Sequence, residues 1–227
     1  MKLTLDHTTQ EAPDTMSFFF RSDTPLEWKA GQYFHYTLPH PDPDSRKTER
    51  IFTDADAPYE GFVRITTRFA EKGSSFKNAL KTMKPGDTID ATGPEGEFTV
   101  DDPTKDAVFI AGGIGITPFR SILLDLDHRG LPINVQLMYA NRTEDATFRP
   151  ELDAIATRHP TLKIDYFIGD RRIDEAAIRA AVPDLAKPVF YISGPEPMVE
   201  AFEKMLKGMG VPDDHVKHDY FPGYDWP

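Results

Sequence analysis

The chain has 227 residues, 39% of them hydrophobic and 28% charged, with a formal net charge of -11, a profile with room for one large folded domain or two small ones. That acidity opposes a phosphate-rich polymer, so no nucleic-acid partner is expected, and the lack of any cysteine excludes disulfides, thiol nucleophiles and cysteine-ligated iron–sulfur clusters within the chain. The apolar runs fall short of the roughly 18 residues of a membrane span, and "MKLTLDHTTQEAPD" has no signal-peptide core, so the expectation is a cytoplasmic address with no membrane span.

In chain order, the first hundred residues carry short runs rich in aromatic and β-branched residues, "TMSFFF", "QYFHYTL", "GFVRITTRF" and "TIDATG", separated by Pro, Gly and Asp clusters. This pattern predicts a small antiparallel β-barrel. Within it, Phe76, Ala79, Leu80 and Met83 fall on one helical face, with Ser74 or Ser75 placed to cap the helix start. From Arg64 to Lys84 the cations Arg64, Arg68, Lys72, Lys77, Lys81 and Lys84 face only one acid, Glu71. Two uses are open for this basic island, a cofactor pyrophosphate or an acidic electron carrier, beside an ordinary solvated helix face.

The period changes after "DDPTKD", Asp101 to Asp106, the candidate linker. The runs "AVFIAG", "INVQLMYA", "KIDYFI" and "PVFYISG" read as buried strands, alternating with helices over Pro118–His128, Arg149–Thr157, Asp174–Ala181 and Pro197–Lys207. That alternation predicts an α/β domain with a parallel sheet and helices on both faces. Strand "AVFIA" runs into Gly112-Gly113-Ile114-Gly115-Ile116, and Thr117-Pro118 reads as the N-cap and first-turn proline of the next helix. Glycines at a helix start let a ligand's phosphates approach backbone N–H groups; the alternative is a tight turn with no ligand. At the end of the second strand, Ala140-Asn141-Arg142-Thr143 offers no carboxylate for a free ribose and an arginine for a phosphorylated one, which leans to NADP over NAD, unless Arg142 is a plain solvated loop residue. His215 and His218, in the acidic "DDHVKHD", read as a solvated stretch, and no metal site is expected.

Six ordered signatures carry a family likeness: "GQYF" from Gly31, "RIFT" from Arg50, "GPEGEF" from Gly93, "GGIGITP" from Gly112, "SGPEPM" from Ser193 and the terminal "DYFPGY". Nearly the whole chain resembles the ferredoxin-NADP reductase superfamily. The resemblance implies two domains, an antiparallel flavin-binding β-barrel over residues 1–103 and a five-stranded parallel α/β NAD(P)-binding domain over 104–227. By position it gives Arg50 a flavin phosphate, Phe52 the isoalloxazine face in place of the usual Tyr, and Thr53 a hydrogen bond near flavin N5. Ile51, Thr66 and the turn Gly73-Ser74-Ser75 join the implied flavin contacts, and Phe221, Tyr224 or Trp226 would shield the ring. On the nucleotide side it implies pyrophosphate contacts from Gly113, Gly115, Ile116, Thr117 and Pro118, ribose contacts from Asn141 and Arg142, and nicotinamide contacts from Ser193, Gly194, Pro195 and Met198. Thr53, Ser193 and Asp219 are the implied catalytic-site residues, tuning and orienting rather than reacting covalently. The implied cofactors are FAD, with FMN as the alternative, and NADPH or NADH. The implied activity is NAD(P)H-dependent flavoprotein reduction, with hydride passing to flavin and electrons to an acceptor such as an acidic ferredoxin or flavodoxin. Alternatives are a flavin-binding electron-transfer subunit of a larger complex and a stand-alone flavin or quinone reductase.

Overall fold

Six strands and one helix arise from the aromatic-rich first part of the chain: β1 (Lys2–Ala12), β2 (Thr15–Ser22), β3 (Tyr33–Thr37), β4 (Glu49–Thr53), β5 (Val63–Arg68), α1 (Ser75–Thr82) and β6 (Thr88–Glu95). They belong to the first of two compact units, Met1–Thr99 and Val100–Pro227, in a computed structural model that describes residues 1–71 and 73–223. The strands form one antiparallel sheet in the order β4-β3-β6-β1-β2-β5. It curls so that the segment after β4 meets β5: Ala55 N–H donates to Arg64 O at 3.0 Å, and Arg64 N–H donates to Asp54 Oδ1 at 2.9 Å. Alternating inward residues, among them Leu3, Leu5, Phe18, Phe20, Phe34, Tyr36 and Ile65, make the core, and α1 closes over it with Phe76 and Leu80 one helical turn apart.

The second unit alternates strand and helix: β7 (Ala107–Gly112), α2 (Thr117–His128), β8 (Val135–Asn141), α3 (Arg149–Arg158), β9 (Lys163–Ile168), α4 (Glu175–Ala181), β10 (Val189–Pro195), α5 (Glu196–Gly208) and β11 (Val216–Phe221). All five strands are parallel, in the order β11-β10-β7-β8-β9. The central strand β7 is buried at every residue. Its Val108 and Ile110 face a core with Ile178 of α4 and Val199 and Phe202 of α5. Phe109 points the other way and stacks on Phe119 of α2 with centroids 4.6 Å apart, so helices cover both faces. Among the described residues no helix is long and apolar enough to cross a membrane.

The start of α2 differs from the sequence expectation. The glycine turn Gly113–Ile116 itself coils as a 3-10 helix and runs straight into α2, so Ile116 takes the cap position in helical conformation. Thr117 is already helical, and its hydroxyl donates back to Ile114 O at 3.2 Å instead of capping.

Candidate functional site

In the first unit, strand alternation sorts the "RIFT" residues. Arg50 and Phe52 share one face, buried and half-buried, while the other face carries Ile51, 53% exposed, and then Thr53, which is buried at the end of the strand. Phe52 packs between Tyr36 and Phe76, with centroids 5.9 and 5.8 Å away. Arg50 Nη1 donates to the carbonyls of Arg46, Lys47 and Glu49, and Nη2 donates to both carboxylate oxygens of Asp44 at 2.6 and 2.7 Å. The guanidinium is 7% exposed, yet its Nε has no hydrogen-bond partner among the described residues. Ser74 caps α1 by accepting from Lys77 N–H at 3.3 Å. Ser75 does not cap; its hydroxyl oxygen accepts from Asp44 N–H and lies 2.9 Å from His40 Nε2. Gly73 precedes this turn and is half-buried.

Asp44, which sequence reasoning missed, joins Arg50 to the helix start. Burial opposes its ionisation, but hydrogen bonds from Arg50, Arg46 N–H and Ser75 outweigh that and hold the carboxyl at about 2. The basic island is less available than its composition implies. Arg64 is buried between Glu11 and Asp56 at 2.8 and 3.3 Å, and Arg68 pairs with Asp14. Arg64 Nε also donates to Ser17 Oγ at 3.0 Å, and that oxygen lies 2.7 Å from Thr66 Oγ1. Thr66 is therefore held in a buried polar row on β5. Lys72 lies outside the described residues.

In the second unit, the strand order places β7 between β8 and β10, so consecutive connections diverge on either side of it. Crevices outside the carboxyl ends of strands at such a switch point are where open α/β sheets bind ligands. The glycine turn sits there. A Cβ on Gly115 would lie 2.2 Å from Ser193 O, so only glycine lets the turn press against β10. Gly113, with φ +53°, is different: a Cβ there would meet nothing within 4 Å among the described residues, so the turn presents open backbone at this point. Ser193 is fully buried, and its hydroxyl lies 3.5 Å from Oδ2 of Asp219, its register partner on β11. Pro195 and Phe221 are paired in the same register. Met198 is fully buried, with its sulfur against Gly112, and supports the backbone of the turn. Asn141 Nδ2 donates to Asp145 O at 3.3 Å, and Arg142 is exposed beyond β8. Ile116, Thr117 and Pro118 are buried in the α2 start, and Gly194 in the end of β10. Tyr224 and Trp226 lie outside the described residues.

Residues 2–100 match the family described as an oxidoreductase FAD-binding domain, and residues 109–204 match the one described as an oxidoreductase NAD-binding domain. The chain belongs to the ferredoxin-NADP reductase-like flavoprotein family. Among reductase-family relatives, a flavohemoprotein of Burkholderia sp. (strain TH2) is 28% identical, covering 93% of this chain and 56% of its own. The reductase component of phenol 2-monooxygenase from Pseudomonas sp. (strain CF600) is 30% identical, covering 84% of this chain and 56% of its own. The chain thus spans little more than half the length of these two relatives. An Amycolatopsis cytochrome P450 reductase shares the fold, with a TM-score of 0.82 at 23% identity, over 98% of this chain and 70% of that one.

The residues of both family sites fit their groups. Arg50 keeps a spare, buried N–H beside the start of α1, as a phosphate subsite needs. Open backbone at Gly113 on the turn leading into α2 suits a pyrophosphate.

Proposed function

We propose that the chain is an NAD(P)H-dependent flavoprotein reductase that passes electrons to a partner redox protein, a ferredoxin, flavodoxin or oxygenase component. The observation that carries it is the switch-point turn, with Gly115 pressed on Ser193, the partner of Asp219, and with Gly113 offering open backbone. FAD, when bound, supplies the ring that accepts a hydride from reduced nicotinamide and releases its electrons singly. The protein's part is positioning. In this reading residues 1–103 hold the flavin and 104–227 the nucleotide. Arg50 and the turn Gly73-Ser74-Ser75 hold the flavin phosphate, Phe52 packs on the ring, and Ile51, Thr53 and Thr66 complete its contacts. Gly113, Gly115, Ile116, Thr117 and Pro118 cradle the pyrophosphate, and Asn141 and Arg142 read the ribose. With its hydroxyl proton directed to Asp219, Ser193 Oγ keeps lone pairs to accept from a carboxamide N–H, next to Gly194, Pro195 and Met198. Phe221 and Tyr224 are assigned the shielding of the ring. The reading includes a cytoplasmic address, where the NAD(P)H pool is held.

An anaerobic titration of the FAD-loaded chain with NADPH and with NADH tests it. Loss of the flavin absorbance band at stoichiometric nucleotide is the expected result; an unchanged spectrum with both nucleotides overturns the proposal.

A further inference from the structure

Asp44 has no part in the function proposed above, yet its carboxylate grips both halves of the phosphate subsite that this function assigns. Its two oxygens take both contacts from Arg50 Nη2, and Oδ2 also accepts from Ser75 N–H, the first residue of α1, at 3.1 Å. Asp44 N–H returns a bond to Ser75 Oγ. His40 Nδ1 lies 2.7 Å from Leu38 O and so carries the proton, which leaves Nε2 to accept from the Ser75 hydroxyl. An anion clamped between a guanidinium and the first N–H of a helix is in the arrangement a phosphate takes. The carboxylate fills it incompletely: both its oxygens are on Nη2, and the buried Arg50 Nε is left without a partner among the described residues. A phosphate has a third oxygen for that donor.

We propose that Asp44 is a specificity-determining residue of the phosphate subsite: a tethered carboxylate that fills it and yields only to a phosphate carried on a flavin. The proposal rests on reading Arg50 and α1 as the flavin-phosphate subsite. Carboxylate and phosphate cannot share the same donors, because two anions in contact repel while competing for them. A group tethered by a short segment competes at an effective concentration of order millimolar. Free inorganic phosphate therefore gains little, whereas a flavin brings the binding energy of its ring as well. Asp44 stays charged throughout the working pH range, since its carboxyl is held at about 2. A cavity of about 670 Å³ between residues 38–42 and α1, walled in part by His40 and Ser75, leaves open volume beside the segment that carries Asp44.

The test compares Asp44→Asn with the parent chain, freed of flavin by dialysis and titrated with FAD and with riboflavin, which has no phosphate. The Asn variant is expected to bind FAD about tenfold tighter, ~1.4 kcal/mol, with riboflavin affinity unchanged. Inorganic phosphate should raise the thermal midpoint of the variant and not of the parent. The flavin-free variant should itself melt lower, since buried Arg50 loses its counter-charge; a merely structural Asp44 would lower the midpoint without tightening FAD. Asp44→Ser is the second variant should the first fail to fold. Arg50→Lys, which keeps the charge and loses the fork, separates the two levels. If it weakens FAD relative to riboflavin while neither Asp44 variant tightens FAD, the plug is overturned and the subsite stands. If it leaves the FAD to riboflavin ratio unchanged, the phosphate is held elsewhere and both fall.

Discussion

Two glycines of one turn make opposite demands on a methyl group. At Gly115 a Cβ would meet the Ser193 carbonyl at 2.2 Å, backbone against backbone, so Gly115→Ala is expected to cost about 3 kcal/mol in urea unfolding through overpacking. Gly113→Ala has open space among the described residues and meets only the strain of φ +53°, about 1 kcal/mol; equal losses would mean that the turn does not press on β10 as described. Arg142 tests the nucleotide's far end. Arg142→Ala is expected to lower kcat/KM for NADPH about tenfold, ~1.4 kcal/mol, and to leave NADH within twofold, because only NADPH carries the extra phosphate. The place of the glycine turn between β7 and α2 was legible in the sequence, because an apolar strand run leads into it and an apolar helical run leaves it. Asp44 was not: an acid in the Pro-rich "PHPDPDSRK" reads as loop solvation, and only the fold brings it to Arg50 and Ser75. The cations Arg64 and Arg68 misled for the same reason, since Glu11, Asp56 and Asp14, which neutralise them, lie 8 to 54 positions away.

At the scale of elements, the closure of the sheet between β4 and β5 hangs on one buried acid. Asp54 Oδ1 accepts from the backbone N–H groups of Asp56 and Arg64, while Oδ2 has no partner among the described residues. Burial pushes its carboxyl well above the usual range, against the two backbone hydrogen bonds and with help from the charges of Asp56 and Glu60. A raised acid favours the fold fully below its unfolded value near 3.8 and loses that contribution as pH rises through the folded value. Asp54→Asn keeps the Oδ1 acceptor and has no charge to bury. Its thermal midpoint should exceed the parent's at pH 8, with the gap closing below pH ~4; a gap constant with pH would mean that Asp54 is ionised in the fold. Strand runs of dense aromatic character were legible, whereas β1 was passed over. Only Leu3 and Leu5 mark its inner face, and the stretch from His7 to Gln10 is exposed and polar. The cap at Thr117 was misassigned because a helix that continues an existing 3-10 coil has no free N–H row for a hydroxyl to cap.

For the whole molecule, the two units have separate cores. FAD should therefore raise the melting of the first and NADP+ that of the second, each by about 2.7 kcal/mol at a hundredfold excess over its dissociation constant. Followed by tryptophan-free probes placed in each unit, such selective shifts are expected, and equal shifts of one transition by either ligand would make the two a single cooperative body. The change of period near residue 103 made this two-part plan readable, because a switch from short aromatic runs to strand–helix alternation is a property of composition over tens of residues. The order of strands was not readable, since pairing depends on contacts that no window contains. That order has a consequence for biosynthesis. β1 sits in the middle of its sheet, bonded on one side to β2 and on the other to β6, with Lys2 opposite Asp90. A ribosome adding about 5–20 residues per second delivers β6 several seconds after the β1–β2 hairpin is complete. Throughout that interval the nascent hairpin offers an unpaired edge and uncovered Leu3, Leu5, Phe18 and Phe20 to any neighbouring chain. Stalled chains ending before Thr88 should thus recruit a holdase chaperone, and chains long enough to expose Glu95 should release it.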